Sequence, residues 1–209
     1  MKVLKLISFF LFFVNLNLQA QQNKTFDSLT VEFNKLKEVS NINKKDKTIL
    51  KLLNSLYDET LQADDGSLSQ KTIAKYQAFK EDSKLANWPV FYLFETYQNE
   101  ITQTELGKKK NNKDLRVALM KILSGELIDL YQTIPPIVLV YMGEALMNSG
   151  ANSRAQNHFK MSLEFYPESI PLKVYSYLLA DDKTAKEALA ADLTKNHKNH
   201  WMVKQFLTN

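Results

Sequence analysis

The sequence predicts an all-α chain built from antiparallel helical hairpins. Three observations point there. Apolar residues recur at helical spacing, i, i+3, i+4 and i+7, along segment after segment. No stretch shows a convincing strand alternation. The five prolines and the glycines other than Gly125 and Gly143 fall at natural breaks between the periodic segments.

Taken in order, Phe26, Leu29, Phe33 and Leu36 mark a helix over about 26–39, closed by the polar stretch Ser40 to Lys47. Ile49, Leu52, Leu53 and Leu56 mark a second over about 46–62. Asp64-Asp65-Gly66-Ser67 is a turn, and Ile73, Tyr76 and Phe79 place a third helix at about 69–83. A fourth starts at Trp88-Pro89, where a missing backbone donor costs nothing. Its broad face of Phe91, Leu93, Phe94, Tyr97 and Ile101 calls for more than one neighbour. After the polar connection Gly107 to Asn112, Leu115, Leu119, Ile122, Leu123 and Tyr131 give a helix over about 113–132, ended by Pro135-Pro136.

The segment from Pro136 to Ser169 carries the most specific pattern. Leu139, Met142, Gly143 and Leu146 share one helix face. Gly150 can supply the left-handed conformation that ends this helix, and Asn152 or Ser153 can cap the next. Ala155, Phe159, Ser162 and Tyr166 again share a face, and Pro167 stops the run. Gly143 costs about 1 kcal/mol against alanine inside a helix, which suits a place where a neighbour approaches closely. Ala155 is small for the same reason, and Phe159 is the large residue that fills the groove.

This segment resembles a tetratricopeptide repeat (TPR), a helical hairpin with a period of about 34 residues. Gly143, Leu146, Gly150, Ala155, Phe159, Ser162 and Pro167 stand at signature positions of that family, while Leu139 and Ser162 replace its usual tryptophan and alanine. The resemblance implies hairpins stacked as a short right-handed solenoid, with atypical end elements capping the stack. Hairpins are expected to begin near Asp46, Trp88, Pro136 and Ile170. Leu172, Tyr175, Leu178 and Leu179, then Ala185, Ala188, Leu189 and Leu193, mark the last one. Trp201, Phe206 and Leu207 suit a short terminal helix. No linker divides the chain. Residues 21–209 are therefore expected to form one all-α TPR-like domain, with a helical N-terminal part at 21–87 and the TPR-like hairpins at 88–209.

Residues 1–20 read differently. Lys2 and Lys5 precede the apolar run Leu6 to Val14, a more polar stretch follows, and Ala20 is a small residue suited to cleavage. This is the layout of a secretory signal peptide. Nine helical residues reach about 14 Å, short of the roughly 30 Å of a bilayer core, so no permanent span is expected after cleavage. An exported chain, periplasmic or extracellular, is expected, and a composition rich in lysine and asparagine with two arginines suggests a bacterial source. Without cysteine there is no disulfide.

The formal charge of +4 falls to +2 once Lys2 and Lys5 are removed. That near-balance speaks against nucleic-acid binding, which needs a concentrated basic face. Lys108-Lys109-Lys110 and Lys113 lie among glycine and asparagine without interleaved aromatics and read as a solvated loop. No catalytic residues are assigned: the sequence has no thiol, no glycine-flanked nucleophilic serine, no phosphate-cradling loop and no paired-histidine zinc motif. His197 and His200 lie among lysines in a segment read as a solvated turn, and His158 is expected at the surface. No metal or cofactor is expected, and the chain does not read as an enzyme.

The function expected is a protein–protein interaction module, an adaptor or scaffold that holds a peptide or protein in a concave groove. The resemblance places the first helix of the repeat along that groove, which makes Ile137, Val140, Glu144, Met147 and Asn148 the candidate partner-binding residues. Val140 and Glu144 suit an apolar or basic segment rather than a terminal carboxylate. The alternative is a structural accessory subunit of an envelope or secretion assembly, acting through a helical face with no peptide groove.

Overall fold

The computed structural model describes residues 20–207, with side chains from Lys24 onward. The export segment expected over residues 1–20 lies, but for Ala20, outside the described residues. Within them the chain is all-α: ten α-helices, one π-helical segment and no strand. The helices are α1 (Ala20–Glu38), α2 (Thr48–Leu56), α3 (Gln70–Glu81), α4 (Trp88–Glu105), α5 (Lys113–Tyr131), α6 (Pro136–Asn148), α7 (Asn152–Phe165), α8 (Ile170–Leu178), α9 (Lys183–Asn196) and α10 (Trp201–Leu207). None of the described helices is long and apolar enough to cross a membrane.

The chain divides into two compact units. The first takes the residues up to Lys51 together with Tyr76–Ile134, and the second takes Leu52–Lys75 and Pro135–Asn209. In the first, α5 packs on α4 and α1. Phe33, Phe91, Phe94, Tyr97, Leu119 and Leu123 are among its buried apolar residues. Lys37 closes an ion pair of 2.6 Å with Glu126. The corner before α4 turns on Asn87, a fully buried residue at φ 61°. Asparagine tolerates the left-handed region better than most residues. Its side chain also satisfies backbone that no helix serves: Oδ1 accepts from Asn43 N at 2.9 Å, and Nδ2 donates to Asn43 O at 2.9 Å and to the Tyr131 hydroxyl at 2.8 Å. Trp88 Nε1 donates to Phe79 O at 2.7 Å, tying the start of α4 to the end of α3.

In the second unit α6, α7, α8 and α9 pack each on the next, and α10 packs on both α8 and α9. Gly150 takes φ 82° between α6 and α7, as a tight turn demands. Neither Asn152 nor Ser153 caps α7: the capping position is Ala151 and carries no side-chain bond. The Asn148-to-Asn152 turn is short enough that backbone bonds, Ala151 N to Leu146 O at 2.9 Å among them, close it instead. Ser169 and Asp182 do cap α8 and α9.

The helix expected over 46–62 is α only to Leu56, and Tyr57–Gln62 widen into a π-helical segment. Both of its ends are held by groups distant in sequence. Tyr57 Oη donates to Ser169 Oγ at 2.6 Å, Gln62 Oε1 accepts from Ile170 N at 3.0 Å, and Gln62 Nε2 donates to Glu168 O at 3.1 Å. The Thr60 and Leu61 carbonyls are taken by Trp201 and His200.

Two histidines therefore depart from expectation. His200 is fully buried, with Nε2 donating to Leu61 O at 2.9 Å, rather than solvated in a turn. His158 is 2% exposed rather than on the surface, with Nε2 donating to Leu139 O at 2.6 Å. In each case a backbone carbonyl takes the Nε2 proton, which favours burial of the imidazole as the neutral form. At the end of the described chain α10 buries Met202 and Val203, while Phe206 stays 36% exposed.

A candidate partner-binding edge on helix α6

The Phe159 ring lies against the bare backbone of Gly143. A Cβ on Gly143 would stand 2.0 Å from Phe159 Cζ and 2.3 Å from Cε1, so only glycine fits. On its other side Phe159 stacks on Tyr175, ring centroids 5.0 Å apart and planes 8° from parallel. Tyr175 in turn donates its hydroxyl to Glu144 Oε1 at 2.5 Å. Gly143, Phe159, Tyr175 and Glu144 thus form a continuous relay across α6, α7 and α8. Each step has a physical requirement: a missing side chain for the ring, a ring for the stack, and a hydroxyl partner for the half-buried phenol.

Burial is the main force pushing the Tyr175 hydroxyl well above its ordinary range, and the neighbouring Glu144 carboxylate adds to it. The phenol therefore stays protonated and serves Glu144 as a donor at every physiological pH. It holds the carboxylate in one place on α6.

The five residues expected to line a groove divide. Ile137 is 1% exposed and Val140 is 0% exposed, so both belong to the core and neither offers surface to a partner in this conformation. Helix α6 opens with Pro136-Ile137-Val138-Leu139-Val140, apolar on every side, and this turn is buried all round. Glu144, Met147 and Asn148 are half-buried and lie along one edge of α6. Tyr141 is half-buried one turn before Glu144, and Tyr175 is half-buried beside it. Sequence reasoning placed Tyr175 in a core face and passed over Tyr141. The available signal was a phenol at a core-spaced position, because a tyrosine chosen over phenylalanine announces a partner for its hydroxyl.

The edge thus presents a fixed carboxylate, a soft thioether from Met147, an amide from Asn148 and a phenol from Tyr141. Methionine adapts its shape to irregular apolar surfaces, and a carboxyl group offers acceptor oxygens to basic donors. Nothing in this set activates a nucleophile or shuttles a proton. Among the described residues no three His, Cys, Asp or Glu side chains are grouped to hold a metal ion. Lys108, Lys109 and Lys110 are exposed, and Lys109 reaches Glu100 at 3.8 Å. Compared with the models of known protein families, with curated proteins and with solved structures, the chain matches none.

Proposed function

We propose that this chain is an exported, TPR-like protein–protein interaction module, an adaptor or scaffold without catalytic activity. It holds an apolar or basic segment of a partner protein along the edge of α6. The observation that carries the reading is the fit of Phe159 onto Gly143, the small-residue and ring interlock that the TPR resemblance calls for between the two helices of a repeat. The neighbour-on-neighbour order of α6, α7, α8 and α9 supports a stacked arrangement. Glu144, Met147 and Asn148, with Tyr141 and Tyr175 alongside, supply the recognition surface. Export rests on the layout of residues 1–20.

The test is an affinity capture from the envelope fraction of the source organism, using the chain from Gln21 as bait and mass spectrometry as readout. Met147→Ala with Asn148→Ala alters the edge without touching the Glu144–Tyr175 bond, and the melting temperature of this variant controls for folding. A partner captured by the parent and lost by the folded double variant supports the reading. A partner retained by that variant sinks the α6 edge as the binding surface.

A further inference from the structure

We propose that His200 is an acid-released latch. As a neutral imidazole it holds α10 on the π-helical segment, and protonation frees α10 and uncovers the apolar face beneath it.

The geometry fixes the neutral ring. His200 is fully buried. Nε2 faces the Leu61 carbonyl at 2.9 Å, and a carbonyl can only accept, so Nε2 carries the proton. Nδ1 faces the Met202 backbone N–H at 3.3 Å, and an amide can only donate, so Nδ1 must be bare. A second proton would set two donors against each other and leave an imidazolium in a buried site. The Leu61 carbonyl and, more weakly, the Asp64 carboxylate favour the charged ring, while His197 opposes it. Lys173 on α8 and Asp192 on α9 are paired to each other at 2.8 Å. Burial prevails and pushes the His200 imidazole below its ordinary range.

What the latch holds is small and dependent on docking. Helix α10 has seven residues, too few to be helical alone in water. Its polar ties to the chain after α2 include, with His200, Trp201 N to Asp64 O at 3.1 Å and Trp201 Nε1 to Thr60 O at 3.2 Å. Met202 and Val203 complete an apolar cluster with Ile170, Val174 and Leu193. Protonation at Nδ1 loses the bond from the Met202 N–H and charges the ring at the first residue before the helix, which acts on all of these together. Since the docked pKa lies below that of a free histidine, the hold is complete above about pH 6.5 and weakens as the pH falls below it.

The chain has two tryptophans, Trp88 and Trp201, so two indole N–H resonances report on the two units separately. The experiment follows both indole signals and the His200 ring by NMR from pH 7.5 to 4.5, in the chain from Gln21. The expected result is loss of the docked Trp201 signal with the same midpoint as His200 protonation, below pH 6.5, while the Trp88 signal stays. In His200→Gln, whose amide can still donate to Leu61 O and does not titrate, Trp201 is expected to stay docked throughout. A Trp201 signal that keeps its docked position while the His200 ring titrates overturns the proposal, as does one that never moves down to pH 4.5. The same transition in His200→Gln overturns it too. Should that variant fail to fold, the titration of the parent chain decides alone.

Discussion

Phe159 occupies the space of the side chain that Gly143 lacks, its Cζ 2.0 Å from where a Cβ would be. The relationship is one-sided. Gly143 weakens α6 as a helix, and the ring on α7 takes advantage of the gap.

Gly143→Ala is therefore expected to destabilise the second unit, against the helix-propensity trend. Alanine gains about 1 kcal/mol in a helix, but overpacking a filled site costs roughly 1–3 kcal/mol, and here three ring atoms fall within 2.7 Å of the new methyl. Urea unfolding should show a net loss, and Phe159→Leu in the same chain should recover part of it. A more stable Gly143→Ala protein would mean that Phe159 does not rest on Gly143.

Tyr175→Phe keeps the stack on Phe159 and removes the hydroxyl that holds Glu144. A hydrogen bond to a charged acceptor contributes about 1.5–3 kcal/mol, and the half-exposed setting places the expected loss near the lower figure. A double-mutant cycle with Glu144→Gln measures the coupling. Additive effects would show that the two side chains do not meet in solution.

Asn87→Ala should be among the most damaging single changes in the first unit. It leaves the Asn43 N–H and the buried Tyr131 hydroxyl without their Asn87 partner and forces a Cβ-bearing residue without a polar side chain into φ 61°. A loss of about 3 kcal/mol or more is expected from unsatisfied buried groups and backbone strain together. Asn87→Gly relieves only the strain, so it should recover about 1 kcal/mol of that loss. Thermal or urea unfolding of the two variants separates the contributions.

His158 predicts a pH dependence. Burial lowers its imidazole from 6.5 to about 4, against the opposing pull of the Leu139 carbonyl. The unfolded chain therefore binds a proton near pH 6.5 that the folded chain refuses until about pH 4. Stability is full above 6.5 and falls as the pH drops toward 4, by on the order of 3 kcal/mol in all. His158→Gln should flatten that slope in urea unfolding series between pH 7 and 4.5. An unchanged slope would assign the pH dependence to other groups.

Local pattern made the helices legible. The turn at Gly150, the start at Trp88-Pro89 and the breaks after Tyr131 and Phe165 each carry a residue whose backbone preference is strong. Gly143 and Phe159 were readable as a pair for the same reason. The candidate edge was legible only in part. Helix α6 opens with residues apolar on all sides, so periodicity could not say that Ile137 and Val140 face inward while Met147 and Asn148 lie at the rim. The buried histidines were illegible, because what permits their burial is a backbone carbonyl, and every residue has one. Nor does any local pattern announce that Leu52–Lys75 joins Pro135–Asn209 rather than its own neighbours in sequence.

That last feature bears on how the protein comes into being. The ribosome releases Leu52, Leu53 and Leu61 long before it reaches Trp201. At roughly 5–20 residues per second the early stretch waits on the order of ten seconds for the companions that finish its unit. During that interval its leucines have no completed core to enter. Any pause or premature stop downstream of Pro135 prolongs their exposure, which makes the last stretch of synthesis the step on which solubility of the newborn chain depends.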